Sequence, residues 1–202
     1  QRQMCIRDSN LPVTIIATEP KIPIKGMEEI LQQKVYWIRN DRKYKWKELN
    51  LPVPDIFFQA GRYPWFNSLG NEVVKCKGKV ILLSDNSWKK SLKQIIGSII
   101  FRMGYKSDFS AVWVPGKSGA KLMKNYGVPQ SKIYEGLYGS DNRAFYSNLP
   151  LRKRPKQFIF VGQLIKRKGI HSLVKAFKIF HCKFPEWKLL IYGDGRYRHL
   201  LK

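Results

Sequence analysis

The chain has 202 residues, 44% hydrophobic and 13% aromatic with six Trp, enough to bury a core, which excludes intrinsic disorder. No apolar run reaches the roughly 18 residues that a membrane-spanning helix needs. Lys and Arg number 38 against 14 Asp and Glu, a net charge of +24 that calls for an anionic partner: nucleic acid, an acidic membrane face or a phosphorylated substrate. Cys5, Cys76 and Cys182 are odd in number and scattered. That excludes a disulfide framework and a zinc site and suits a reducing, cytoplasmic compartment.

Residues 1–9 (QRQMCIRDS) have no period and no apolar core of a signal peptide, and they read as a non-native artefact ahead of the fold. Strand-like runs follow at 13–18 (VTIIAT), 34–39 (KVYWIR), 55–59 (DIFFQ), 79–84 (KVILLS), 111–114 (AVWV), 132–137 (KIYEGL), 157–161 (QFIFV) and 188–192 (KLLIY). Continuous apolar runs of this kind suit parallel strands covered on both faces. Helical spacing appears at 91–105, where Leu92, Ile95, Ile96, Ile99, Ile100 and Met103 recur every three or four residues. It appears again at 116–126 and at 169–184, where Leu173, Phe177 and Phe180 share a stripe. Strands alternating with helices predict an open, doubly wound α/β fold.

The composition breaks at 149–156 (LPLRKRPK), two prolines and four basic residues without apolar period, which reads as a linker. The expected organisation is therefore an N-terminal domain over 10–148 lacking its first element, the linker, and the opening of a second domain over 157–202. The chain as a whole reads as an internal fragment.

Several polar positions fall at the ends of predicted strands, where open α/β sheets bind ligands. Asp85 closes the strand at 79–84; it is placed to orient or deprotonate a hydroxyl, or to cap the segment before Trp88. Gly61, in the run Gln59-Ala60-Gly61-Arg62, belongs either to the same wall or to a plain turn. The amphipathic stretch 88–106 carries Lys89, Lys90, Lys93, Arg102 and Lys106 beside its apolar stripe. It either docks on an anionic bilayer or covers the sheet with its stripe inward, the commoner arrangement for such a stripe.

The strongest local signal is 158–177 (FIFVGQLIKRKGIHSLVKAF). A buried strand ends at Val161, Gly162 opens a loop, and a helix starts near Lys168 and Gly169. A helix N-terminus at a sheet edge attracts phosphate, and Lys166, Arg167 and Lys168 add full charges. A merely solvated loop is the alternative.

This segment resembles the start of the C-terminal domain of glycosyltransferase family 4, a GT-B fold, through Gly162, Leu164, Lys168, Gly169, Ala176 and Phe177. Residues 185–195 (PEWKLLIYGDG) are similar to the family's next strand and Gly-x-Gly turn, and 112–145 to its inter-domain passage. The resemblance implies two Rossmann-like domains, the second only begun here, and a retaining hexosyltransferase that uses a nucleotide sugar. Lys168 would bind the donor diphosphate together with Gly162 and Gln163. Gln163 stands where the family usually has arginine, so it brings a hydrogen bond without charge. Gly193 and Gly195 would lie near the nucleotide, Asp85 would be catalytic, and Gly61 would lie on the acceptor side. Neither cofactor nor metal is expected, because cations and N–H donors stabilise the leaving diphosphate. The implied acceptor is a lipid-linked or surface-polysaccharide precursor at the cytoplasmic face of the plasma membrane. The family's paired glutamates would fall beyond Lys202, and the fragment alone is expected to be inactive.

A basic nucleic-acid-binding module is the rival from another class, since Trp and Tyr interleave with Lys and Arg over 36–46 (YWIRNDRKYKW) in a pattern suited to base stacking. No nucleic-acid fold motif supports it, so no specific nucleic acid is expected as a partner. A non-catalytic nucleotide- or glycan-binding relative is a third reading. The run Gly116-Lys117-Ser118-Gly119 completes neither a nucleophile elbow nor a Walker A loop, and His171, His181 and His199 have no metal spacing.

Overall fold

A computed structural model describes residues 12–19, 28–29, 33–89, 91–104, 108–139 and 146–201. The artefact expected at 1–9, and residues 140–145 of the inter-domain passage, lie outside them. The chain divides into two compact units, Gln1–Phe145 and Tyr146–Lys202.

In the first unit, β1 (Ile15–Thr18) pairs in parallel with β2 (Val35–Ile38). A second sheet holds β3 (Ile56–Ala60), β4 (Lys79–Leu83), β5 (Ala111–Trp113) and β6 (Ile133–Tyr134), all parallel and in chain order. Parallel neighbours require crossovers. Here these contain α1 (Pro64–Lys75), α2 (Leu92–Gly104) and α3 (Lys117–Asn125). The second unit holds β7 (Gln157–Val161) and β8 (Lys188–Tyr192) in parallel, joined through α4 (Ile170–Lys183). Every strand and helix anticipated from the sequence is present within a few residues of its expected ends, and the α/β class with parallel sheets is observed.

Helix α1 was not anticipated, although its signals are in the sequence. Pro64 occupies the first turn, where its missing N–H costs nothing, and Phe66, Leu69, Gly70 and Val73 form one buried face. A Cβ on Gly70 would lie 2.7 Å from Gln59 Oε1, so the glycine lets the helix close onto β3. Leu69, Val73, Val80, Leu82, Val112 and Leu122 make the centre of the core.

Three expectations are corrected. Strand β3 alternates instead of being covered on both faces: Phe57 and Gln59 are buried, whereas Ile56 and Phe58 are about half exposed. Tyr44 and Trp46, which the rival nucleic-acid reading would use as stacking platforms, are core residues. The Tyr44 hydroxyl accepts the Arg39 N–H at 3.0 Å, Trp46 Nε1 donates to Leu69 O at 3.0 Å, and the indole meets Phe57 edge to face. Finally, the apolar stripe of α2 faces away from the sheet. Leu92, Ile95, Ile96, Ile99, Ile100 and Met103 are 45–85% exposed, and Phe101 on the opposite side is buried.

In the second unit, Phe158 on β7 anchors a ring cluster with Phe177 and Phe180 of α4 and Trp187. Leu164 and Ile170 are fully buried at the two ends of the β7–α4 loop.

Leu69→Ala should lower stability by about 2–5 kcal/mol through loss of buried methyl groups and the cavity left behind. Ile96→Gln on α2 should stay within about 0.5 kcal/mol, as expected of an exposed helical site. Urea denaturation of both variants checks this; a large loss in Ile96→Gln would mean that the stripe is packed.

Candidate functional site

The first unit has a cleft of about 620 Å³ at the carboxyl ends of its strands. Gly61 and Arg62 reach it from the end of β3, Ser84 and Asp85 from the end of β4, and Tyr138 from beyond β6. In an α/β sheet this edge is where ligands bind, because the crossovers leave the strand-end loops free to form a crevice. Gly61 and Asp85, far apart in sequence, therefore share one wall.

Gly61 turns the chain with φ +74°, and its N–H donates to Leu83 O at 3.2 Å, tying the two strand ends together. The residue that fixes this turn is Gln59, almost fully buried, whose Nε2 donates to Gly61 O at 2.8 Å and to Asn67 Oδ1 at 2.6 Å. Sequence reasoning placed the run Gln59–Arg62 either in a wall or in a plain turn without singling out Gln59; a Gln ending an apolar strand before a glycine turn was the available signal. The Arg62 guanidinium lies over the Phe101 ring at 5.0 Å.

Asp85 is exposed and makes no hydrogen bond or ion pair among the described residues. The turn after Trp88, ahead of α2, is held by other side chains. Gln94 accepts the Lys89 N–H at 2.7 Å and donates to Ser87 O at 2.7 Å, while Ser91 Oγ accepts the Gln94 N–H. The carboxylate is thus available to a hydroxyl in the cleft.

The second unit presents a different surface. Beyond β7 the chain passes through Gly162 and Gln163 into a 3-10 turn, Lys166–Lys168, then Gly169 with φ +70°, and α4 begins without a side-chain cap. The first turn, without a side-chain cap, carries N–H groups and partial positive charge at its start, next to the exposed side chains of Lys166, Arg167 and Lys168. Neither the Lys168 ammonium nor the Gln163 amide has a side-chain partner among the described residues. Phosphate oxygens are the complementary ligand.

Gly193 and Gly195 serve a purpose that sequence reasoning missed. A Cβ on Gly193 would run into the Gly162 carbonyl, and one on Gly195 would sit 2.6 Å from Leu164 O. The loops after β7 and β8 press backbone against backbone: the Gly162 N–H donates to Tyr192 O and the Leu164 N–H to Asp194 O, both at 2.9 Å. The Tyr197 N–H returns to Leu164 O at 3.0 Å. These bonds extend the parallel pairing past the strands and hold the lysine-bearing loop from one side.

Residues 141–202 match the family model described as glycosyl transferases group 1. Among curated proteins, an uncharacterized glycosyltransferase of Methanocaldococcus jannaschii is 28% identical over 137 residues, covering 61% of this chain and 34% of that protein. The chain thus spans about a third of the length of that relative. The matched segment and the parallel sheets agree on a Rossmann-like α/β architecture of GT-B type.

Alanine at Gly193 should destabilise the second unit by about 2 kcal/mol or more, combining a clash with a backbone angle that side chains avoid. Gly169→Ala has open space around its Cβ and should cost only the left-handed penalty of about 1–2 kcal/mol. Thermal unfolding of the two variants ranks them; equal losses would refute the backbone-contact role.

Proposed function

We propose that this chain is part of a retaining, family 4-type hexosyltransferase that moves a sugar from a nucleoside-diphosphate donor to a lipid-linked or surface-polysaccharide acceptor. The observation that carries the reading is the Lys168 turn, behind a parallel strand and ahead of an uncapped helix, inside the segment that matches group 1 glycosyl transferases.

In this reading the bond between the sugar C1 and the diphosphate oxygen breaks, and negative charge grows on the departing phosphate. The Lys168 ammonium and the N–H groups at the start of α4 stabilise that charge without reorganising, and no divalent metal is needed. Gln163 adds an uncharged donor, which leaves Lys168 the larger share. Gly162, Gly193 and Gly195 hold the loop that carries these groups.

The acceptor hydroxyl gives up its proton as its oxygen bonds to C1, and Asp85 is the carboxylate that the cleft of the first unit offers to take up or orient that proton. The products are the glycoside, the nucleoside diphosphate and a proton. Retention places the new bond on the face the diphosphate leaves. Support for a lipid-linked acceptor at the cytoplasmic membrane face comes from the +24 charge, which concentrates the protein at anionic surfaces.

The test is calorimetric titration of the 202-residue chain with UDP, GDP and ADP. One of them should bind, and Lys168→Ala should weaken it by about 10- to 100-fold, the range of a lost charge-assisted hydrogen bond. Lys183→Ala, at the far end of α4, should bind normally. Absence of binding by all three, or an unchanged affinity in Lys168→Ala, overturns the reading.

A further inference from the structure

We infer that α2 is a membrane-docking helix, whose outward apolar stripe enters the interfacial layer of an anionic bilayer. This deepens the membrane-surface part of the proposed function and rests on the geometry of the first unit alone.

A helix that covers a sheet normally turns its large apolar residues inward. Helix α2 does the reverse. The side that meets the domain carries Gln94, Gly97 and Phe101. A Cβ on Gly97 would already lie 3.0 Å from the Tyr126 hydroxyl, and Phe101 packs on Phe109 and Tyr126. Gln94 donates to Ser87 O, and Arg102 Nη2 donates to Asn125 O at 2.8 Å. The orientation is fixed by these contacts, so the six residues of the stripe are held outward.

Six large aliphatic side chains on three turns form a patch with no counterpart in an ordinary solvated helix face. At 13 residues the helix is about 20 Å long, too short to cross a hydrocarbon core of about 30 Å, so it would lie in the plane of the interface.

Charge selects the occupant. From Trp88 to Ser107 the sequence contains Lys89, Lys90, Lys93, Arg102 and Lys106 and no acidic residue. With 3.6 residues per turn, Lys93 falls on one border of the stripe and Arg102 on the other. Cations bordering an apolar band suit a bilayer surface, where the aliphatic groups enter the acyl boundary and the charged heads remain among phosphates. A second copy of this chain would set the same basic borders against each other in a protein already at +24.

Sedimentation with vesicles of phosphatidylcholine, with and without one-third phosphatidylglycerol, tests the inference. The chain should bind the anionic vesicles, and Ile96→Gln/Ile99→Gln should reduce that binding about tenfold or more with unchanged melting temperature. A polarity-sensitive fluorophore on Met103→Cys, in a background with Cys5, Cys76 and Cys182 changed to Ser, should shift to the blue on the anionic vesicles. Undiminished binding by the double variant, or an unshifted fluorophore, overturns the proposal. A wild-type dimer that the double variant dissolves also overturns it, by giving the stripe to a second copy. Nucleotide titration of the same variants separates the two proposals, since Ile96 and Ile99 lie outside the unit that contains Lys168: lost vesicle binding with retained nucleotide binding marks the docking face alone.

Discussion

Parallel strand pairing is the constraint on which both candidate surfaces depend. Neighbouring strands that run the same way force each connection back across the sheet, so the loops that leave the strands gather at one edge. In the first unit that edge brings Gly61 and Asp85 to a common cleft, although a helix and a strand separate them in sequence. In the second unit the loops after β7 and β8 become neighbours, and the cost of their approach is that glycine must stand wherever a side chain would meet the opposing carbonyl. Backbone hydrogen bonds from Gly162 and Leu164 then continue the ladder beyond the strands. Loops held in this way present groups with fixed geometry, which is what charge stabilisation without reorganisation requires.

Much of this was legible in the residues. Runs such as QFIFV and KLLIY admit little but a strand, and the five residues of each are the observed β7 and β8. The loop between β7 and α4 was legible for the same reason: a glycine after a strand, then cations, then another glycine before an apolar helix. Helix α1 was missed because its apolar face is interrupted by Gly70 and Asn67, whose roles are to admit and hold Gln59, a contact that exists only once the strand is beside the helix. The same long-range logic hid Trp46. Its position in a basic, aromatic run looks solvent-facing, yet its indole N–H finds the Leu69 carbonyl inside α1.

The direction of α2 shows where periodicity stops being informative. A hydrophobic stripe reports that a helix has two faces; it does not report which face meets the domain. That choice belongs to the other side, where Gly97 permits close approach and Phe101 supplies a ring for Phe109 and Tyr126. One buried aromatic with a small neighbour competes successfully against six aliphatic residues for the protein-facing position, because the aliphatic side chains sit on the opposite arc and cannot reach the same core. The sequence contains this information, but only as the identity of residues that an amphipathic reading treats as the polar side.

The cationic surplus also separates into distinct physical roles. In the β7–α4 loop, Lys166, Arg167 and Lys168 stand next to a helix start without a side-chain cap, an arrangement of charge and N–H donors that would suit one small anion. Around α2 the cations border an apolar band instead, an arrangement that favours an extended interface of many anions with hydrocarbon behind them. A nucleic acid would satisfy the charge in both places and leave the aliphatic band in water. A bilayer satisfies the charge and removes the band from water together, and for that reason the pattern of exposure, more than the net charge, separates the two kinds of partner.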